Sequence, residues 1–461
     1  MNLIWFRNDL RVQANPALAA AHENGLATTA FVTLTPKTWS EHCESSARMG
    51  LWHDRLLEVK RELEALNVPL KVLRVESFDD CPAAIVELAG QVGATNLLFN
   101  YEYPLNEVNR DRAVCDALVG SVNCVGFHGE VIIPPGEVKT QTGTDFKVYT
   151  PFSRAWRQRL VEFDYPIRPI KSSFPANTVT SDEVPSDLGW QPLGYERDLW
   201  PVTSDVIREQ VYQFVREREA DYKEKRDFPA VNGTSKLSPY LTIGAVSPLQ
   251  LLHVQRSEYS HDGWLNSSWL NELIWREFYR HLMVAFPGLS RLEPFRPETE
   301  ARIQWLDRES AWQAWCQGET GFPIVDAAMK QLLATGWMHN RLRMVVASFL
   351  TKLIGIDWRR GEEFFMSKLI DADFASNNGG WQWSASVGAD AAPYFRIFNP
   401  IAQSEKFDAH GDFLVKWLPE LEMVPVKERH KPGAGQFYGR PAPIIDYAKE
   451  RKRALDAYKE G

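Results

Sequence analysis

LIWF at residues 3–6, TTAFVTL at 28–34, LKVLRV at 70–75, TNLLFN at 95–100 and VNCVGF at 122–127 decide the fold class of the amino-terminal part of this chain. Each run is short, apolar and rich in β-branched or aromatic residues, the composition of a buried strand. Between them, residues 47–66, 82–92 and 107–118 carry apolar side chains at helical spacing. This alternation predicts a doubly wound parallel sheet, an α/β domain over residues 1–130. Ligands of such sheets bind beyond the carboxyl ends of the strands. No GxGxxG follows the first strand, so a nicotinamide dinucleotide site has little support.

Beyond residue 130 the pattern changes twice. Residues 131–204 contain IIPPGEV, TQTGTDF and FPANTVTSDEVPSDLGWQP, rich in Pro, Ser, Thr, Asp and Gly. They read as an interdomain linker on the surface, with one helix from YTPFSRAWRQRL at 149–160. From 205 to 461 the spacing is helical almost throughout, as in WLNELIWREFYRHLMVAF at 269–286 and RLRMVVASFLTKLIG at 341–355. An all-α domain is expected there, ending in a helix near 446–459.

The composition is that of a globular protein, 44% hydrophobic and 24% charged. No apolar run reaches the ~18–20 residues of a membrane span. MNLIWFRNDLR does not resemble a secretory signal. The five cysteines are scattered and form no CxxC, so neither a metal site nor a disulfide framework is expected, and a reducing, cytoplasmic setting is. The net charge of −8 means that a nucleic-acid partner needs a local basic face. Of 17 tryptophans, three precede residue 131 and eleven follow residue 200.

Residues 358–400, WRRGEEFFMSKLIDADFASNNGGWQWSASVGADAAPYFRIFNP, concentrate the unusual chemistry. Nine aromatic residues, Tyr394 and Phe395 among them, flank Asp371, Asp373, Asn377, Asn378, Gly379 and Gly380. Rings beside acceptors and bare backbone suit a large, flat, polar-edged cofactor, although a packed aromatic core would also use them. In GTSKLSPYL at 233–241, Thr234, Ser235 and Ser238 surround Lys236. They offer an anion site, or only a Ser cap before a Pro-started helix. Glu272, Trp275 and Arg276 share neighbouring helix ridges, as a ligand clamp or an i,i+4 ion pair. Between Lys330 and Arg360 six Lys/Arg face one acid, Asp357: a candidate phosphate footprint or a solvated face. Trp305, Trp358 and Trp381 taken singly are core residues.

LIWFRNDLR, KLSPYLTIGAVS, NELIWREFYRHL, GWMHNRLRM and NNGGWQWSASVGADAAPYFRIFNP, in that order, resemble the DNA photolyase/cryptochrome family across nearly the whole chain. The closest likeness is to its class I cyclobutane pyrimidine dimer (CPD) photolyases. The resemblance implies an α/β antenna domain and a helical domain binding FAD, active in its reduced anionic form. It implies that Tyr222, Thr234, Ser235, Lys236, Leu237, Ser238 and Trp269 hold the flavin and its phosphates. Asp371, Ala372 and Asp373 would face its ring and ribityl side, and Asn377 would donate an amide hydrogen to N5. Trp381, Trp358 and Trp305 would supply electrons from the surface.

The implied substrate is DNA containing pyrimidine dimers, each flipped into a cavity. Glu272 would hydrogen-bond a dimer base, Trp275 and Trp383 would pack on it, and Asn340 and Met344 would line the wall. Arg226, Arg276, Arg341, Arg343 and Gln403 would contact substrate or DNA. Asn377, Met338-His339-Asn340, and an end about sixty residues after the FNP motif favour CPD repair over (6-4) repair or signalling. Asn106-Glu107 match a folate pterin site, implying 5,10-methenyltetrahydrofolate as antenna, although Ser290-Arg291 replace the family's Cys-Lys. Gln13-Ala14 replace an acid without catalytic consequence. A monomer is expected. The alternative is a cryptochrome-like photoreceptor that binds FAD without repair; a non-photochemical flavoprotein is the third reading.

Overall fold

The computed structural model describes every residue except Pro192, Ser260, His261, Tyr394, Phe395, Glu460 and Gly461, and the side chains of Tyr458 and Lys459. The chain forms two compact units, residues 1–217 with 235–290, and residues 218–234 with 291–461. Tyr394 and Phe395, counted above among the aromatic residues of 358–400, lie outside the described residues.

In the first unit, β1 (Asn2–Phe6), β2 (Thr28–Leu34), β3 (Leu70–Arg74), β4 (Asn96–Asn100) and β5 (Asn123–Phe127) form one parallel sheet in the order β3-β2-β1-β4-β5. Register runs from Asn2 opposite Thr28 to Phe6 opposite Val32, and Leu3 lies opposite Leu97. β1 and β2 are buried on both faces because helices flank the sheet. Trp5, Phe31, Leu97 and Phe99 pack with Ile85, Leu88 and Val114 of the helices Cys81–Val92 and Leu105–Ala117. Local signals set the helix starts. Asn15 caps Pro16–Glu23 by accepting from Leu18 N, and Ser45 caps Ser46–Glu64 by accepting from Arg48 N.

The strand order turns between β1 and β4, and there the sheet's polar cluster gathers. Arg7 follows β1, pairs with Asp111 and lies over the Trp5 ring. Asn8 donates to Glu102, which pairs with Arg110 at 2.7 Å. This is the switch-point position where doubly wound sheets bind ligands.

Residues 131–162 run along the surface at 139–148, as expected, but are anchored in the core on either side. Buried Glu277 accepts from the backbone N–H groups of Ile132 and Ile133 and from Trp156 Nε1. Trp156 is fully buried in the helix Tyr149–Glu162, which packs on Ser268–Ala285. Pro/Ser/Gly composition reported loop backbone here, not loose attachment. One buried carboxylate and one indole hold the segment within the first unit.

The second unit is helical. Pro323–Thr335 and Asn340–Ser348 pack together, and the latter runs into a π-helical turn, Phe349–Ile354. Gly336 and Gly355, at φ +67° and +84°, end these elements in the left-handed conformation that suits glycine. Trp315, Phe322, Trp358, Leu350, Leu353 and Ile354 form fully or almost fully buried parts of the core. Asp326, accepting from Thr320 and Gly321 and paired with Arg440 at 2.6 Å, ties the tail to this core. Among the described residues no helix is long and apolar enough to cross a membrane.

Candidate flavin and substrate site

The aromatic–acidic segment folds as two helices, Trp358–Lys368 and Phe374–Ala385, with Asp371, Ala372 and Asp373 at the turn between them. Asp373 caps the second helix, its carboxylate accepting from Ser376 N at 2.9 Å. The helices cross closely at Gly361, where an added Cβ would overlap Cη2 of Trp381 and lie 2.8 Å from Leu350 Cδ2. Trp381 is thereby buried against Phe365 and Trp315, with ring centroids at 5.1 and 6.1 Å. Trp358 is also fully buried, and its indole N–H donates to Glu300 at 2.9 Å. Trp305 is partly exposed.

Asn377 sits one turn after Asp373. Its Nδ2 donates to Glu362 O at 2.9 Å and to Glu362 Oε1 at 3.0 Å. A backbone carbonyl only accepts, so the nitrogen must face Glu362 and Oδ1 must face away. Both amide hydrogens are spent. The expected amide donor to N5 is therefore corrected: Asn377 presents an acceptor, which suits an N5–H group. Glu362 is 3% exposed, and burial pushes its carboxyl up to about 8, against the opposing bond from Asn377. It is protonated at neutral pH.

Gly380 follows Asn377 by three residues on the same helix face. A Cβ there would meet nothing within 4 Å. Packing does not demand this glycine; it leaves open space about one helical turn from Asn377, which fits a flat ring.

Asp371 is 6% exposed and takes both oxygens to Arg343 Nη2, at 3.0 and 2.8 Å, while Arg343 Nε donates to Met338 O. Arg343 is turned inward, which corrects its assignment as a DNA contact. Other cations of the basic stretch are paired as well, Arg360 at the surface. Arg341 pairs with Asp227 at 2.7 Å and lies over Phe407; Arg359 pairs with Glu300; Arg360 pairs with Glu309. Lys352 is buried, donates to Arg396 O, and burial lowers its amine to about 7. Much of the local charge excess is answered by acids distant in sequence.

Asn340 is exposed at the start of its helix, and Met344, one turn on, is partly exposed on the same face. His339 caps this helix, accepting from Arg341 N at 3.2 Å. Trp383 is partly exposed, tilted 34° to Phe398. Gln403 lies on Pro400–Phe407 with Oε1 buried and unbonded, Arg226 lies 5.2 Å from the Tyr222 ring, and the Thr234 carbonyl accepts from Arg218.

In the first unit, Ser235 O accepts from Gln210, and Lys236 adopts φ +54°, a left-handed conformation that costs a non-glycine residue energy. Leu237, buried, precedes the helix Ser238–Thr242 as its cap residue without a side-chain cap bond, so Ser238 is not the cap that its sequence suggests. Trp269 is buried against Phe214 at 5.1 Å. Glu272 and Trp275 are partly exposed on the helix Ser268–Ala285, and Trp275 stacks on Tyr149. Arg276 donates to Glu130 O at 2.6 Å, an internal bond rather than the substrate contact expected of it.

On the helix after β4, Asn106 lies 3.0 Å from His42 Nε2 and Glu107 lies 3.7 Å from His42 Nδ1. Glu107 Oε2 is buried without a hydrogen-bond partner. Burial first, then Glu102, pushes its carboxyl up to about 7. Ser290 accepts from Leu105 N beside it. An orphaned acceptor at the sheet's switch point fits a polar ligand edge.

Residues 2–172 match the family description "DNA photolyase", and residues 269–460 match "FAD binding domain of DNA photolyase". The deoxyribodipyrimidine photo-lyase of Vibrio cholerae is 44% identical, covering 100% of this chain and 99% of that protein. The chain belongs to the DNA photolyase family. Among solved photolyases, the class III enzyme of Agrobacterium tumefaciens superposes with TM-score 0.87 at 35% identity, covering 99% of this chain and 96% of that one. The archaeal photolyase of Sulfolobus tokodaii, described with two FAD molecules, gives 0.81 at 27% identity over 100% of both chains. Three residues that touch the candidate site residues escaped the sequence reading: Glu362, Tyr149 and His42. Only Glu362 carried a signal, lying four residues after Trp358 and three before Phe365 on the buried helix face.

Proposed function

We propose that this chain repairs cyclobutane pyrimidine dimers in DNA as a light-driven deoxyribodipyrimidine photo-lyase. The observation that carries the reading is the Asn377 acceptor one helical turn from the open space at Gly380, within a photolyase FAD-binding domain. When bound, reduced FAD supplies an electron on excitation and recovers it after the cyclobutane ring splits, so the chain needs no net oxidant.

The side chains do the rest. Enzymes that act on a base, photolyases among them, take it out of the stack. Glu272 hydrogen-bonds the extruded dimer and stabilises charge that develops on it. Trp275 and Trp383 give it apolar faces, while Asn340 and Met344 complete the wall. Asn377 fixes the protonated edge of the flavin, and Glu362, neutral at physiological pH, holds Asn377 in place. Thr234, Ser235, Lys236, Ser238 and Trp269 bind the rest of the cofactor. Trp381, Trp358 and Trp305, buried, buried and partly exposed in turn, suit electron supply from solvent.

Asn106, Glu107 and His42 hold the antenna, a folate such as 5,10-methenyltetrahydrofolate. The chain acts as a monomer in the cytoplasm. Glu272→Ala tests the repair role: it should keep its flavin spectrum and lose most of its light-driven repair. Unchanged repair in that variant would remove Glu272 from the site and favour a photoreceptor.

A further inference from the structure

Tyr149 and Trp275 stack in parallel, with ring centroids 3.7 Å apart and planes 6° from parallel. Tyr149 is 9% exposed and opens the helix Tyr149–Glu162. Its hydroxyl donates to Asn271 O at 3.0 Å and lies 3.3 Å from Asn271 Oδ1. Asn271 precedes Trp275 by one helical turn, and its Oδ1 also accepts from Arg157 at 2.6 Å. The phenol is thus held at its backbone end by one helix and at its hydroxyl by the helix that carries the indole. Phe278 stands edge-on to both rings, at 5.9 Å from Tyr149 and 5.7 Å from Trp275.

Trp275 is partly exposed despite this support. One of its faces is covered by a ring that cannot rotate away without breaking the Asn271 bond. Tyr279 is a further neighbour, tilted 34° to the indole at 5.7 Å, so a planar partner can meet only the part of the indole that these rings leave exposed. An unsupported, partly exposed indole would lose rotamer freedom on binding; this one has already lost it.

We infer that Tyr149 is a positioning residue for dimer recognition, fixing the plane of Trp275 so that the flipped pyrimidines meet a preset indole face. This rests on the proposed role of Trp275. Ordering one side chain at an interface is worth about two- to tenfold in Kd. That range is the expected effect, and it applies to damaged DNA alone, because an undamaged duplex presents no extruded bases to the indole.

The test is dark binding of the flavin-loaded protein to an oligonucleotide carrying one thymine dimer and to its undamaged twin. Tyr149→Leu, which keeps apolar bulk and removes the stack, should weaken dimer binding about two- to tenfold and leave undamaged binding in place. Under light the loss should fall on KM rather than kcat. Tyr149→Phe, which keeps the ring, should restore most of the affinity. Wild-type dimer affinity in Tyr149→Leu would overturn the inference, as would equal losses on both DNAs or a loss of bound flavin. Trp275→Ala separates the two levels. If that variant binds the dimer normally, the role of Trp275 itself fails; if it weakens binding and Tyr149→Leu does not, only the inference about Tyr149 fails.

Discussion

Asn377 and Glu362 hold each other by two bonds, from one amide nitrogen to a backbone carbonyl at 2.9 Å and to a carboxyl oxygen at 3.0 Å. The pair determines which atom of Asn377 is left for a ligand. Burial, acting against the bond from Asn377, raises the Glu362 carboxyl to about 8.

The protonated carboxyl makes stability depend on pH in a definable direction. Folded Glu362 holds its proton up to about 8, whereas the unfolded side chain releases it near 4.5. The folded state binds more protons across that window, so this group's contribution to stability falls as pH rises through it. Glu362→Gln keeps the acceptor and removes the titration. The variant should gain on the wild type toward pH 8, by at most about 1.4 kcal/mol per pH unit. Thermal melting of both proteins at several pH values checks this, and parallel curves would refute it.

Two glycines on neighbouring helices should behave oppositely. Gly361→Ala drives a methyl group into Trp381 and Leu350, an overpacking that costs about 1–3 kcal/mol. Gly380→Ala meets nothing and gains helix propensity, up to about 1 kcal/mol. The same methyl group occupies the space assigned to the flavin. Denaturation of flavin-free protein together with flavin occupancy distinguishes them: Gly361→Ala unfolds earlier, and Gly380→Ala stays stable but binds less flavin.

Arg343→Ala should reveal a structural cation rather than a phosphate contact. Removing it leaves buried Asp371 without its ion pair, a loss on the order of 3 kcal/mol. The slope of DNA affinity against salt should remain as in the wild type, because no phosphate contact is lost. A flatter slope with unchanged stability would return Arg343 to the DNA surface.

Residues contiguous in sequence were legible; residues paired across it were not. TTAFVTL predicted β2 residue for residue because a doubly buried strand writes its whole length in apolar letters. PALAAAHE at 16–23 was missed as a helix because it is too short for a periodic pattern, although Asn15-Pro16 is a sound start signal. The cations of 330–360 looked open because Asp227, Glu300, Glu309 and Asp371 are contributed from outside or from the end of that stretch. Asn377 stands out in the sequence as a site candidate, but the direction in which its amide faces does not. Its orientation depends on Glu362, fifteen residues away, whose letter is no different from that of its exposed neighbour Glu363.

The antenna assignment has a spectroscopic consequence. Glu107→Ala and Asn106→Ala should each remove a near-ultraviolet absorption band that is additional to the flavin bands, and leave the flavin bands intact. Persistence of that band in both variants would exclude the site. Two flavins per chain in the wild type would instead point to the arrangement described for the archaeal photolyase.

The most direct test of the proposed function is repair itself. Purified protein loaded with reduced FAD is mixed with an oligonucleotide carrying a single thymine dimer, and intact thymines are counted in darkness and under blue or near-ultraviolet light. Restoration under light, with none in darkness, is the predicted result. Dimers left intact under light by a protein whose flavin is photoreduced in a Trp381-dependent manner would contradict it and identify a photoreceptor.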